Sequence, residues 1–258
     1  ISPELKSRQA AAAAAAGVAE RTRIEWIDRV PAAIDGVVVM NEVLDAVAPR
    51  LVARRDGAWL EHGVAWTGTA FAFEDRVLAD ARVLDAARSR FPVEGDYVSE
   101  INLAAEALVG TVGRRLTNGG MLIVDYGFPQ REYFHPQRSA GTIVGHYRHR
   151  VHADPFLWPG LSDLTTHVDF TAIADAATRA GLRVTGFTTQ ASLLVGCGLL
   201  DLLQAVGPPE GLPYLRAASA AQTLLSPAEM GELFKVLLLG AGEAQWPVLA
   251  VTDMTHRL

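Results

Sequence analysis

Three short, largely apolar runs stand out along the chain: Arg23 to Ile27, Gly36 to Met40 and Gly120 to Val124. Each is bounded by Gly, Pro or Asp, the pattern of strands buried on both faces of a parallel sheet. Between the second and third, Leu51 to Leu60 offers two runs around Asp56-Gly57, a hairpin signal that opens an insertion expected over 50–97. Helical patterns come next over Arg76 to Arg90 and over Val98 to Leu116, the second stopping at Asn118-Gly119-Gly120. Further on, Thr142 to His149 reads as a strand. Asp169 caps a helix from Phe170 to Ala180 that ends at Gly181, and Leu182 to Thr189 is the next strand. Ser226-Pro227-Ala228-Glu229 has the form of a capping box and predicts a helix to Leu239, with a last strand over Trp246 to Asp253. At the front, Ser2-Pro3-Glu4 and the Ala-rich run behind it predict a capped helix reaching Gly17.

Strand and helix in alternation imply an α/β fold with a doubly wound, mostly parallel sheet, and ligands of such sheets bind beyond the carboxyl ends of the strands. The chain has 258 residues, 50% of them hydrophobic, enough for one large domain with its own core. A net charge of -6 argues against a surface built to neutralise phosphates, so no nucleic-acid partner is expected. The single Cys197 lies in the apolar run Leu193 to Leu200, where a buried, inert thiol and a reducing, cytoplasmic location are expected. Asp201 and Gln204 interrupt that run before the roughly 20 residues a membrane span needs.

The residues just past each strand are therefore the candidates for chemistry. Asn41, Glu42 and Asp45 come after the second run, with Glu42 and Asp45 on one face of any helix beginning there; alternatively Asn41 and Asp45 only cap a turn. Asp125-Tyr126-Gly127 comes after the third, where Gly127 would let the backbone approach a ligand and Tyr126 could stack or donate, or simply be a satisfied core tyrosine. His167, just ahead of the Asp169 cap, is placed to act as a base or to be a loop histidine bonded to backbone. His146, His149 and His152 lack a metal-ligand spacing, so no metal is expected. GxSxG, Walker A and GxGxxG patterns are all absent from the sequence.

Five segments together resemble the MidA-like family of S-adenosylmethionine-dependent methyltransferases: Ile1 to Leu5, Asn41 to Ala46, Asp125 to Gly127, Asp163 to Phe170 and Pro227 to Lys235. That family includes the mitochondrial arginine methyltransferase needed for respiratory complex I assembly. The resemblance implies a class I methyltransferase fold in which a first strand and a glycine-rich cofactor loop precede Ile1. It implies S-adenosyl-L-methionine as cofactor, with Trp26 and Asp28 on the adenine side and Asn41 and Glu42 on the methyl-transfer side; with the positions past the strands, Asn41, Asp125 and Tyr126 join Trp26 and Asp28 as cofactor-binding candidates, and Glu42, Asp45 and His167 are the catalytic ones. It implies a protein acceptor, methylated on an arginine side chain, with a respiratory-complex subunit and a second copy of the chain as candidate partners. Two other readings stand beside it: a scaffold that keeps the fold without its cofactor loop, and a nicotinamide oxidoreductase, for which no acidic ribose signature is present.

Overall fold

The computed structural model describes residues 3–18, 20–92, 94–148, 150–243 and 252–258. Helix α1 (Pro3–Ala15) follows the Ala run as predicted, though none of its residues is buried, and its predicted cap Ser2 lies outside the described residues. Residues 23–27 form no strand: Ile24 and Ile27 are exposed, and among the described residues no ladder pairs with the segment. Then come β1 (Ile34–Asn41), the hairpin β2 (Arg50–Arg55) and β3 (Ala58–Trp66), and β4 (Phe71–Val77). Asp56 and Gly57 both take positive φ, 48° and 78°, as the predicted tight hairpin requires. The helix expected from Arg76 starts only at Ala81: α2 (Ala81–Arg90) is capped by Asp80, which accepts the Arg82 N–H at 3.0 Å, while Arg76 and Val77 finish β4. The helix expected over Val98 to Leu116 divides into β5 (Tyr97–Ile101), α3 (Leu103–Gly113) and the first residue of β6 (Leu116–Phe128). Asn102 sets that division, because its side chain accepts the Ala105 N–H at 3.0 Å and starts the helix there.

The second half holds α4 (Gln130–Tyr133), β7 (Val144–Tyr147), β8 (Arg150–His152), β9 (Asp163–Thr165), β10 (Val168–Asp169) and α5 (Phe170–Arg179). Next are β11 (Arg183–Thr189), α6 (Gln190–Gly196), α7 (Leu199–Ala205), α8 (Leu212–Leu225) and β12 (Phe234–Ala241). Asp169 caps α5 as expected, accepting the Ala172 N–H. Cys197 is exposed rather than buried, because α6 ends at Gly196 and the thiol falls in the turn before α7. The strand expected over Trp246 to Asp253 lies almost wholly outside the described residues.

The predicted helix from Ser226 to Leu239 is a strand instead. Ser226 ends α8, its N–H donating to the Gln222 carbonyl, and 227–233 turn into β12, whose eight residues are all buried. Phe234, Val236 and Leu238 point into one core cluster, and Leu237, Leu239 and Ala241 into another. That division fits a period of two between two covered faces, and a strand covered on both sides shows no polar alternation to betray it.

The central sheet runs in the order β1-β6-β12-β11, with β10 beside the end of β6. β1 and β10 run parallel to β6, whereas β12 runs antiparallel to both β6 and β11. Four of the five strands, β1, β6, β10 and β11, therefore share one direction and β12 alone is reversed, so the sheet is mostly parallel, as expected, with one antiparallel strand set between β6 and β11. On one face α3 and α5 supply Val109, Phe170 and Ile173 to a core shared with Met40, Ile123 and Leu237; on the other, Leu193 of α6 packs with Val124 and Val236. β1 is covered on one face only, and Val37 and Val39 are each 61% exposed. The segment after β1 builds a second sheet, β4-β3-β2-β5, whose core of Val52, Tyr97 and Ile101 is closed by Val83 of α2 and by Tyr133 and Phe134.

Two buried contacts fix the elements around the carboxyl end of β6. Gly127 of β6 meets β10 so closely that a Cβ would stand 2.1 Å from the Val168 carbonyl oxygen, so its bare backbone serves strand pairing and not a ligand. Glu100 of β5 is 2% exposed and gathers four donors: the N–H groups of Thr142 at 2.7 Å and Ile143 at 2.9 Å, and the hydroxyls of Tyr133 at 3.0 Å and Ser99 at 3.2 Å.

Gly127→Ala should destabilise the protein by about 2 kcal/mol or more in urea unfolding, because the obstacle is backbone. Glu100→Leu should lose roughly 2–5 kcal/mol by stranding two buried N–H groups. Glu100→Gln should lose clearly less, since its oxygen can keep the two N–H bonds while its amide donates to the two hydroxyls. Equal losses in the two variants would mean that Glu100 matters for its volume alone.

Candidate functional site

At the carboxyl end of β1 the chain must turn away from the sheet, and it does so at Glu42, whose φ of 49° is unusual for a residue with a side chain. The Glu42 N–H still reaches the Val124 carbonyl of β6 at 3.0 Å. Beyond it, the Asp125 carboxylate accepts the N–H groups of Leu44 at 3.0 Å and Asp45 at 3.3 Å on one oxygen and that of Tyr126 at 2.9 Å on the other. Asp125 is fully buried, and burial, aided by the charge of Asp45, pushes its pKa up to about 7 against the pull of those three donors. Asp45 is 5% exposed, its Oδ1 has no partner among the described residues, and its pKa is raised, chiefly by burial and then by Glu42.

Glu42 itself is exposed, yet its carboxylate is held from both sides. Asn41 Nδ2 donates to Oε1 and the Tyr126 hydroxyl to Oε2, each at 3.2 Å. Tyr126 is fixed in turn by Phe234, with ring centroids 4.1 Å apart, and burial together with Glu42 pushes its hydroxyl up to about 12. The phenol therefore stays protonated and donating. A carboxylate aimed in this way, with its outer lone pairs free, suits a planar cation that donates two parallel N–H bonds.

His167 closes the other side. Its ring stacks on Phe128 at 5.2 Å and 14°, and its backbone N–H donates to Thr142 Oγ1 at 3.0 Å. The neighbouring Thr166 N–H donates to the Asp45 carbonyl at 3.3 Å, tying this loop to the turn after β1. Phe128 also carries the Arg138 guanidinium 4.2 Å from its centroid, and the Lys235 ammonium is 5.8 Å from the same ring. Burial first, then these two cations, depress the His167 pKa to about 4, leaving a neutral imidazole at neutral pH.

Six of the residues singled out in the sequence, Asn41, Glu42, Asp45, Asp125, Tyr126 and His167, thus meet at one end of the sheet. Within that group Asp125 spends both oxygens on backbone. Trp26 and Asp28 sit elsewhere: the indole N–H of Trp26 donates to Gln9 of α1 at 2.9 Å, and Asp28 lines an apolar groove with Val30, Ile34 and Val37. Sequence pattern alone does not single out Glu100, Thr142, Phe128 or Lys235. Lys235 and Phe128 stand in view at strand ends, whereas Glu100 and Thr142 acquire their roles only through contacts 42 positions apart.

Comparison with known proteins adds identity to this geometry. Residues 1–188 match a family described as "Putative S-adenosyl-L-methionine-dependent methyltransferase". The chain is 29% identical over 236 residues to the mitochondrial protein arginine methyltransferase NDUFAF7 homolog of Drosophila melanogaster, covering 87% of this chain and 52% of the relative. It is 29% identical over 160 residues to the mitochondrial protein arginine methyltransferase NDUFAF7 of Danio rerio, covering 61% of this chain and 35% of the relative. The chain thus spans about half, or less, of the curated relatives it matches. A Burkholderia thailandensis protein crystallised with S-adenosyl-homocysteine superposes over the whole chain and 67% of its own, with a TM-score of 0.92 and 43% identity. An uncharacterised protein from the same organism covers the whole chain and 69% of its own, with a TM-score of 0.91 and 44% identity. With nearly three quarters of its length inside the matched span, the chain belongs to this family of S-adenosyl-L-methionine-dependent methyltransferases.

Proposed function

We propose that the chain serves methyl transfer from S-adenosyl-L-methionine to an arginine side chain of a protein. The observation that carries this reading is the Glu42 carboxylate, exposed beyond a strand of the central sheet and gripped by Asn41 and Tyr126. The names of the curated relatives support the arginine acceptor, and the S-adenosyl-homocysteine complex of the solved neighbour supports the cofactor. The resemblance makes a respiratory-complex subunit a candidate acceptor.

The residues present fit the cofactor in part. Asn41 offers an exposed amide next to Glu42, suited to the charged end, and Asp28 in its apolar groove offers a carboxylate beside surface that an adenine could cover. When bound, S-adenosyl-L-methionine supplies an electrophilic methyl group. Glu42 would hold the acceptor guanidinium by two charge-assisted hydrogen bonds and so fix one nitrogen toward that methyl, which makes positioning the main contribution. Transfer leaves a proton to remove, and His167, whose imidazole is neutral at neutral pH and whose ring lies 6.4 Å from that of Tyr126, is one group at this end of the sheet with a lone pair to receive it.

In the native enzyme, Glu42→Gln should lower single-turnover methyl transfer by roughly 10²-fold or more while S-adenosyl-homocysteine affinity, measured by calorimetry, changes little. Unchanged turnover in a less stable protein would reduce Glu42 to a turn residue.

His167 also predicts a pH dependence. Its folded pKa is depressed from 6.5 to about 4, so in that window the unfolded chain binds a proton that the folded one refuses. His167 should therefore subtract stability as the pH falls from 6.5 toward 4 and be silent above it. The difference in unfolding free energy between wild type and His167→Phe should vary with pH only in that window; a flat difference would mean the imidazole is solvated.

A further inference from the structure

The β7–β8 hairpin carries a groove of about 610 Å³ that the methyl-transfer reading does not use. Its walls include Tyr147, Arg148, Arg150, His152 and Trp158. Tyr147 and Trp158 pack with centroids 4.5 Å apart, and the Arg148 guanidinium lies 5.4 Å from the Tyr147 ring. Arg148 and Arg150 are exposed, and among the described residues neither forms an ion pair, although the chain as a whole carries a net charge of -6. His152 bonds Ser162 through Nε2 at 3.2 Å, while its buried Nδ1 has no partner among the described residues. Trp158 is half exposed at 49% and takes a φ of 51°, a strained setting for a bulky residue. Phe156 braces the loop against β4, its ring 4.8 Å from Phe73.

We propose that this groove binds an acidic segment of a polypeptide, whose carboxylates pair with Arg148 and Arg150 while an apolar side chain lies on Tyr147 and Trp158. Charge selects the occupant: two exposed guanidiniums without ion-pair partners among the described residues attract anions, and aromatic walls favour a chain with apolar side chains over a bare ion. The groove's hairpin is linked to the methyl-transfer end through the chain itself, since β7 begins shortly after Thr142 and β9 ends shortly before His167, and those two residues are bonded to each other. Assigning the segment to the flank of the methyl acceptor rests on the function proposed above; the groove's affinity for it does not.

The test is fluorescence anisotropy with a labelled peptide of alternating glutamate and leucine, beside a lysine–leucine peptide and a single-stranded oligonucleotide. The glutamate peptide should bind and weaken with salt, and Arg148→Glu/Arg150→Glu should weaken it by about tenfold or more. Arg148→Gln/Arg150→Gln should give a smaller loss in the same direction, with melting curves unchanged because both side chains are exposed. Glu42→Gln should bind the peptide like wild type, which separates this proposal from the catalytic one. No binding, affinity indifferent to both arginine variants, or an oligonucleotide bound more tightly through the same arginines would overturn it.

Discussion

Asp125 places a fully buried carboxylate at the end of β6 and satisfies it only with backbone, from Leu44, Asp45 and Tyr126. Because Leu44 and Asp45 belong to the turn that leaves β1, this one side chain decides where that turn goes and hence where Glu42 stands. Tyr126, whose N–H the same carboxylate accepts, sends its hydroxyl to Glu42. The exposed carboxylate thus inherits its aim from the buried one. The arrangement also explains the raised pKa values of Asp125 and Asp45: both acids are desolvated around one turn, and the charge of Asp45 further disfavours that of Asp125.

A second buried carboxylate does a parallel task on the far side. Glu100 holds the N–H groups of Thr142 and Ile143, and Thr142 in turn accepts the His167 backbone N–H. The second sheet, to which Glu100 belongs, is therefore connected to the loop that carries the imidazole by two successive hydrogen bonds. Phe128 joins the two halves, stacked on His167 and in contact with the Arg138 guanidinium. The imidazole is kept neutral first by burial and then by the cations beside it.

The parts of the fold legible in the sequence are those specified locally. The Asp56-Gly57 turn, the Asp169 cap and the strands around Val37 and Ile123 each carry their signal within a few residues. β12 reads as helix in the sequence because a strand covered on both faces has no alternation, and the serine ahead of it, in capping-box form, serves to end α8. Tyr97 to Ile101 merges into a helical pattern for the same reason: its burial comes from β2 and α2, not from a local pattern. At the site, residues just past the strands can be found from topology alone. Glu100 and Thr142 cannot, because nothing near either in sequence marks the bond between them.

Glu42 stands in a left-handed backbone conformation that glycine adopts without strain and that costs a side chain of this kind about 1 kcal/mol. Selection on foldedness alone would therefore pull this position toward glycine, and random drift through stable sequences would erase the carboxylate before it touched the core beneath. A glutamate that persists there is a marker of use. In distant relatives, the identity of this single residue would separate proteins still under selection for the site from those that retain only its scaffold.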